Sequence, residues 1–155
     1  MSQPPRPASE LATQLLARDP LPPLVPAGVF DEALTEEIAA TTGPATAKIG
    51  LYLLNDDLPH AHALAQSVEG DPLGDYWHAL IHRREGDYDN ARYWFGRVGP
   101  VPILAQIYGP DPAAPKNFVE RCRAARGGSD AGLEQFQRDE MARLLDHALS
   151  HEPAC

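Results

Sequence analysis

Two histidines four residues apart, His78 and His82, stand in the stretch DYWHALIHRREGDYDNARYWFGRVG, residues 75–99. On a helix that spacing puts both imidazoles on one flank, with Asp75 and Glu85 near them. Neutral imidazoles so placed can share a divalent transition metal such as zinc, provided a third ligand converges from elsewhere. They can also move protons near neutral pH, with Asp75 or Asp87 assisting. The zinc-protease pattern needs Glu directly after the first His, and here that residue is Ala79. Three uses stay open for the pair: hydrogen bonding inside the hairpin, contact with a partner, and metal or acid–base work. His60 and His62 are two apart and point in different directions on a helix, so joint ligation is not expected. His147 and His151 are four apart near the end of the last helix, where the helix dipole favours cations.

The same stretch holds both tryptophans, three of the five tyrosines and four arginines. Arg83, Arg84, Arg92 and Arg97 interleave with Glu85, Asp87 and Asp89, which suits an ion-pair lattice worth little per exposed pair. The sharper alternative is a clamp for a carboxylate or other anion, because Arg offers a bidentate fork. Trp94 is expected in the core. Trp77 and Tyr93 are expected on a partly exposed platform, since each carries a polar tip that wants a partner. Asn90 follows a helix cap and reads as a local backbone clamp. No Gly-rich phosphate loop is present, and no Ser or Cys nucleophile has a base beside it. Cys122 lies on an apolar helix face, where a thiol is usually inert core.

These residues need helices to position them, and the chain supplies helix after helix. Residues 1–7 are polar and Pro-rich and are expected to be a disordered tail. Ser9 is expected to cap a helix bearing Leu11, Leu15 and Leu16 that ends at Asp19-Pro20. LPPLVPAG cannot be helical and should run extended over the surface. Asp31 is expected to cap a second helix, with Phe30, Leu34 and Ile38 on its inner face. From Ala45 to Leu54 the chain is apolar on nearly every side, the mark of a buried helix. A helix through Leu58, Ala61, Leu64, Ala65 and Val68 follows. Then come the focal hairpin, a short helix with Ile103, Leu104, Ile107 and Tyr108, and another with Phe118, Val119 and Cys122 that stops at Gly127-Gly128. A long last helix from about Ala131 to His151 carries Leu133, Gln137, Met141, Leu144 and Ala148 on one stripe, with an Asp139–Arg143 surface pair. No alternating strand occurs, so the expected class is all-α. Residues 8–151 are expected to form a single domain, and 152–155 a frayed tail.

The two central hairpins, about 45–70 and 74–99, are in register at thirty residues. Leu58, Ala61, Leu64, Ala65 and Val68 match Tyr88, Ala91, Trp94, Phe95 and Val98, and Asp57 matches Asp87. Such self-similarity reads as a repeat whose units bury their apolar faces by stacking. The words EGDYDNARYWF resemble the tetratricopeptide repeat in Gly86, Asp87, Tyr88, Ala91 and Phe95, with Ala79 at the small position of the first helix. Tyr52, Ala61 and Ala65 fit the same scheme one hairpin earlier. That resemblance covers residues 46–99 and implies stacked antiparallel hairpins, here closed by the long C-terminal helix. It also implies a groove lined by the first helix of the hairpin. The segments LYLLNDDLPHAHALAQS, YWHALIHRREGDYDNARYWFGRVG and NFVERC further resemble a group of uncharacterised, mostly bacterial proteins with the motif YWHA..HRREGD..N.KYWFRRVG. That likeness implies no activity.

Bulk properties narrow the partners. At 155 residues the chain is long enough for one real core. A formal charge of −9 argues against general nucleic-acid binding. Two cysteines, Cys122 and Cys155, make no disulfide framework, so a reducing cytoplasm is the expected setting. The N-terminus lacks the apolar run of a signal peptide. No run approaches the ~18 apolar residues of a membrane helix. The expectation is a non-enzymatic helical-repeat adaptor without a cofactor. It would take a protein or peptide in a groove beside Tyr76, Trp77, His78, His82, Arg83, Arg84, Asn90 and Tyr93. The alternative is a metal-dependent or acid–base enzyme, hydrolase-like, built on His78, His82 and Asp87. A homodimer through the end of the stack is compatible with either.

Overall fold

Proline, glycine and aspartate punctuate this chain, and helices start and stop at them. The computed structural model describes residues 3–99, 101–126, 128 and 130–150. These are all-α. Helices α1 (Ala8–Leu16), α2 (Glu32–Ala40), α3 (Ala45–Leu54), α4 (Leu58–Gln66) and α5 (Pro72–Arg84) are followed by α6 (Tyr88–Val98), α7 (Pro102–Tyr108), α8 (Ala114–Ala125) and α9 (Ala131–Ser150). No helix among the described residues is long and apolar enough to cross a membrane.

Caps explain several boundaries. The Asp31 carboxylate accepts from the N–H groups of Ala33 and Leu34 and opens α2. Asp57 and Asp87 accept from His60 and Asn90 N–H and open α4 and α6. Ser9 does not cap α1: the cap position is two residues earlier, at Pro7, whose ring presets an extended entry. Within the described part of the expected tail, Arg6 reaches Glu10 and Glu37, and its carbonyl accepts from Thr41 Oγ1.

The turns before α4 and α6 have the same geometry. Asp57 has φ −95°, ψ 74°, and Asp87 has φ −95°, ψ 75°. The residue before each is left-handed, Asp56 at φ 57° and Gly86 at φ 80°. Asp57 N–H donates to the Tyr52 carbonyl and Asp87 N–H to the His82 carbonyl, both at 2.9 Å.

Helix α5 lies at the centre, packed against α3, α4 and α6. Every residue from Gly74 to Arg84 is buried, although five of them carry polar or charged side chains. Trp77 fits because α3 has no side chain at Gly50: a Cβ there would stand 2.7 Å from the indole. Helix α3 is likewise buried from Ile49 to Leu54 and meets α1, α2 and α9 as well. The Pro-rich segment before α2 is pinned rather than draped. Leu24 is buried beside Phe118 and Cys122 in a satellite cluster, and the Pro23 carbonyl accepts from Arg84 and Gln137.

Two further expectations are corrected. Phe30 is 41% exposed, with the Arg18 guanidinium 3.8 Å above its ring. Asp139 pairs with Arg138 and Gln135 instead of Arg143, which reaches the Gln106 carbonyl. His151, Gly127 and residues 152–155 lie outside the described residues.

Candidate metal centre

Three imidazoles converge between α4 and α5. His78 and His82 stack on one flank of α5, ring centroids 4.9 Å apart and 14° from parallel. His62 comes from α4 and meets both edge-on, at centroid distances of 4.9 and 5.0 Å. Its Nε2 lies 3.2 Å from the Nε2 of His78. One ring nitrogen from each of the three falls within 4.8 Å of the others. His78 and His82 are buried, and the His62 side chain is 25% exposed.

A carboxylate stands behind two of them. Glu85 Oε2 is 3.2 Å from His62 Nδ1, and Glu85 Oε1 is 3.0 Å from His82 Nδ1. Asp87 Oδ2 is 3.7 Å from the same His82 nitrogen. The His62 contact is a hydrogen bond, whereas His82 Nδ1 lies at ion-pair distance without an aligned bond. A carboxylate on Nδ1 favours the tautomer whose Nε2 lone pair faces outward, the arrangement that orients metal-binding histidines. Burial opposes the charge on Glu85, yet the His82 and His62 imidazoles on its oxygens hold the carboxyl below its usual value.

His78 is the most constrained member. Trp94 of α6 covers it, ring on ring at 3.9 Å and 12°. Its Nδ1 is buried without a hydrogen-bond partner. Burial first, then the neighbouring His82 and His62, lower its pKa to about 4. The ring is therefore neutral at neutral pH, and a metal would displace no proton from its ligand lone pair. Arg97 adds to the same shift; its guanidinium sits 4.9 Å from the Trp94 ring centre and donates to Tyr93 Oη.

The fit to an ion can be tested on distances. Two nitrogens bonded to zinc at 2.0–2.1 Å in tetrahedral geometry lie about 3.3 Å apart. The 3.2 Å between the His62 and His78 Nε2 atoms matches that edge, while the set of three is held within 4.8 Å, wider than it. The chemistry of the set, three imidazole nitrogens, suits zinc, cobalt, nickel or copper better than magnesium or calcium.

The other residues expected at the site are distributed differently. His60 turns to the Asp57 carboxylate, Nδ1 to Oδ2 at 2.8 Å, and stacks on Tyr52. Asp75 faces the opposite end of α5, where it accepts from the Gly70 N–H. Asp87 caps α6, and its second oxygen accepts from the Asn90 side-chain amide. Asn90 thus clamps the cap through its side chain. Tyr93 is 55% exposed, as a platform residue should be. Trp77 is not: it is buried against Gly50.

Tyr76, Arg83 and Arg84 are interior too, so none of them lines a groove as folded. Their hydroxyl and terminal guanidinium nitrogens bond inside, while the Nε of each arginine is buried without a partner. Tyr76 Oη and Arg83 Nη2 both donate to Glu140 at 2.8 Å. Arg84 donates to the Leu53 carbonyl at 2.5 Å and to Asp56 Oδ1 at 2.6 Å. The arginine stretch is thus two buried anchors, Arg83 and Arg84, and two exposed side chains, Arg92 and Arg97. Cys122 is buried beside Phe118, and burial pushes its thiol up.

His62 is the member that spacing did not reveal. Its one sequence signal is position: it follows Ala61, the small residue at which α4 faces its neighbours. Compared with protein-family models, curated proteins and solved structures, the chain finds no match.

Proposed function

We propose that this protein binds a divalent transition metal between α4 and α5, through His62, His78 and His82, with Glu85 orienting two of the ligands. The observation that carries the reading is the convergence of one nitrogen from each of three imidazoles, drawn from two hairpins, within 4.8 Å. A hydrogen bond accounts for the 3.2 Å between His62 and His78; it does not account for the third imidazole, His82, stacked on His78 with a nitrogen in the same group. Three imidazoles differ from a closed four-ligand structural site and leave a coordination position for water or a small ligand. Such an ion supplies Lewis acidity. The protein residues hold and orient it: Glu85 fixes the tautomers, Trp94 covers one side, and the half-buried His62 is the ligand on the solvent side. The reading stops at binding: cavities of about 380 to 560 Å³ lie on other residues, at Phe95–Lys116, at Tyr88–Arg126 and at Tyr108–Phe136.

The reading takes α3–α4 and α5–α6 as two copies of one hairpin. The matched φ and ψ at Asp57 and Asp87 support it, as does the shared 2.9 Å bond across each turn. The ion would then join the second helix of one copy to the first helix of the next.

The test is titration of the chelator-stripped chain with Co2+, read by its visible ligand-field bands, and with Zn2+ by calorimetry. One ion per chain is expected. His62→Ala removes a partly exposed side chain and should abolish the bands while the protein stays folded. Glu85→Gln should weaken binding about 10–100-fold. No uptake of Co2+, Zn2+ or Ni2+ at micromolar concentration, or equal uptake by His62→Ala, would overturn the reading.

A further inference from the structure

A cavity of about 380 Å³ lies between α6, α7 and α8, on residues the metal centre does not use. Its size falls in the range of small-molecule sites. Phe95, Val101, Leu104, Tyr108 and Pro115 make its walls apolar. Tyr108 contributes only its ring face, because its hydroxyl is turned inward to Glu140 and Arg83. One cation reaches the opening. Lys116 is half-buried on α8, its Nζ lying 3.5 Å from where a Cβ of Gly96 would be, over the bare backbone of α6. It forms no ion pair with any described residue. The arginines near it are matched, Arg92 with Glu120 and Arg123 with Asp89 and Glu120. Asp111, the acid in the lining, is engaged at the loop by the Ala113 N–H.

We infer that this cavity binds an amphiphilic monocarboxylate, its hydrocarbon tail among Phe95, Val101, Leu104 and Tyr108 and its carboxylate on Lys116. The apolar walls call for a hydrocarbon body, since each buried methylene contributes to transfer from water. A lone ammonium without a planar fork suits a single negative charge. A phosphate would want several charge-assisted donors, which this wall lacks. Free fatty acids and aromatic alkanoates share the chemistry, and octanoate and 3-phenylpropanoate separate a straight tail from a ring.

The experiment uses the full chain, with octanoate labelled at the carboxyl carbon and followed by NMR, and calorimetry alongside. Octanoate should bind at one site, acetate should not, and 1-octanol should bind more weakly than octanoate. Lys116→Met should weaken octanoate at least tenfold and leave 1-octanol unchanged. Ala105→Phe places a ring into the cavity from an exposed position and should weaken both. Circular dichroism of each variant checks that the helices are intact. No octanoate binding below its micellar concentration overturns the inference. So does octanoate affinity unchanged in both variants. Neither outcome touches the metal titration, which reads different residues.

Discussion

His78 concentrates the cost of the histidine cluster. It is buried, it is covered by Trp94, and one of its nitrogens has no partner. An unsatisfied buried polar atom costs about 1–3 kcal/mol, so the position is maintained against stability. A pH dependence follows. Unfolded, the ring takes a proton near pH 6.5; folded, it does so only near pH 4, with His62, His82, Glu85 and Arg97 around it. Between those values the unfolded chain binds more protons, so stability falls as pH falls through this window, by up to about 3 kcal/mol. Glu85 works in the same sense, because its carboxyl is held low when folded and its contribution is lost on acidification. Urea midpoints of the metal-free protein should therefore drop between pH 7 and pH 4.5. His78→Gln should flatten that slope, and an unchanged slope would remove His78 as its source. The i, i+4 pair itself was legible in the sequence, since one helix sets its geometry. The third imidazole was not, because it depends on how α4 packs on α5, and helical spacing relates His62 only to its near neighbour His60.

At the scale of elements, local chemistry sets the boundaries and packing sets the faces. Helices α2 to α8 begin and end where aspartate, proline and glycine act within a turn, which one sequence can show. Which side of a helix is buried depends on its neighbours. Helix α5 has too little apolar bias to announce burial on all sides, and Trp77, Arg83 and Arg84 were placed outside for that reason. The paired turns offer a test of how far the two hairpins are equivalent. Asp87 caps α6, holds the exposed Asn90 amide and stands 3.7 Å from His82 Nδ1 without burying its own carboxylate, so Asp87→Ala should cost about 1 kcal/mol. Asp57 caps α4 from a buried position and also takes Thr35 Oγ1 at 2.9 Å and His60 Nδ1. Asp57→Ala removes the acceptor of the Thr35 hydroxyl, leaving it only the Asn55 amide, and should cost clearly more than Asp87→Ala in denaturant midpoint. Equal costs would mean that the cap alone matters and that the link from α4 to α2 contributes nothing.

Across the whole molecule, buried charge joins segments far apart in the chain. Glu140 on α9 accepts from Arg83, Tyr76 and Tyr108, and Arg83 also donates to Gln137 and lies 4.7 Å from the Phe118 ring centre. Arg84 and Arg18 share Asp56, and the Arg84 contact with the Pro23 carbonyl closes the N-terminal segment onto the core. Both α5 arginines are fully buried, which the default of solvent-facing charge does not anticipate. Burial alone would weaken the charge on Arg83, but the facing Glu140 carboxylate outweighs it and holds the guanidinium protonated. The guanidinium therefore keeps its charge, and removing either partner leaves the other uncompensated in the interior. Glu140→Gln keeps an acceptor for the two tyrosines yet removes the anion, and should cost about 3–5 kcal/mol in thermal or denaturant unfolding. Arg83→Met should also destabilise, by exposing Glu140 to the same isolation. Combined, the two substitutions leave no unpaired charge, so the double variant should be more stable than Glu140→Gln alone. A double-mutant cycle then reads a coupling above about 1 kcal/mol, whereas additive costs would show that α5 and α9 are held by packing around the pair and not by the pair itself.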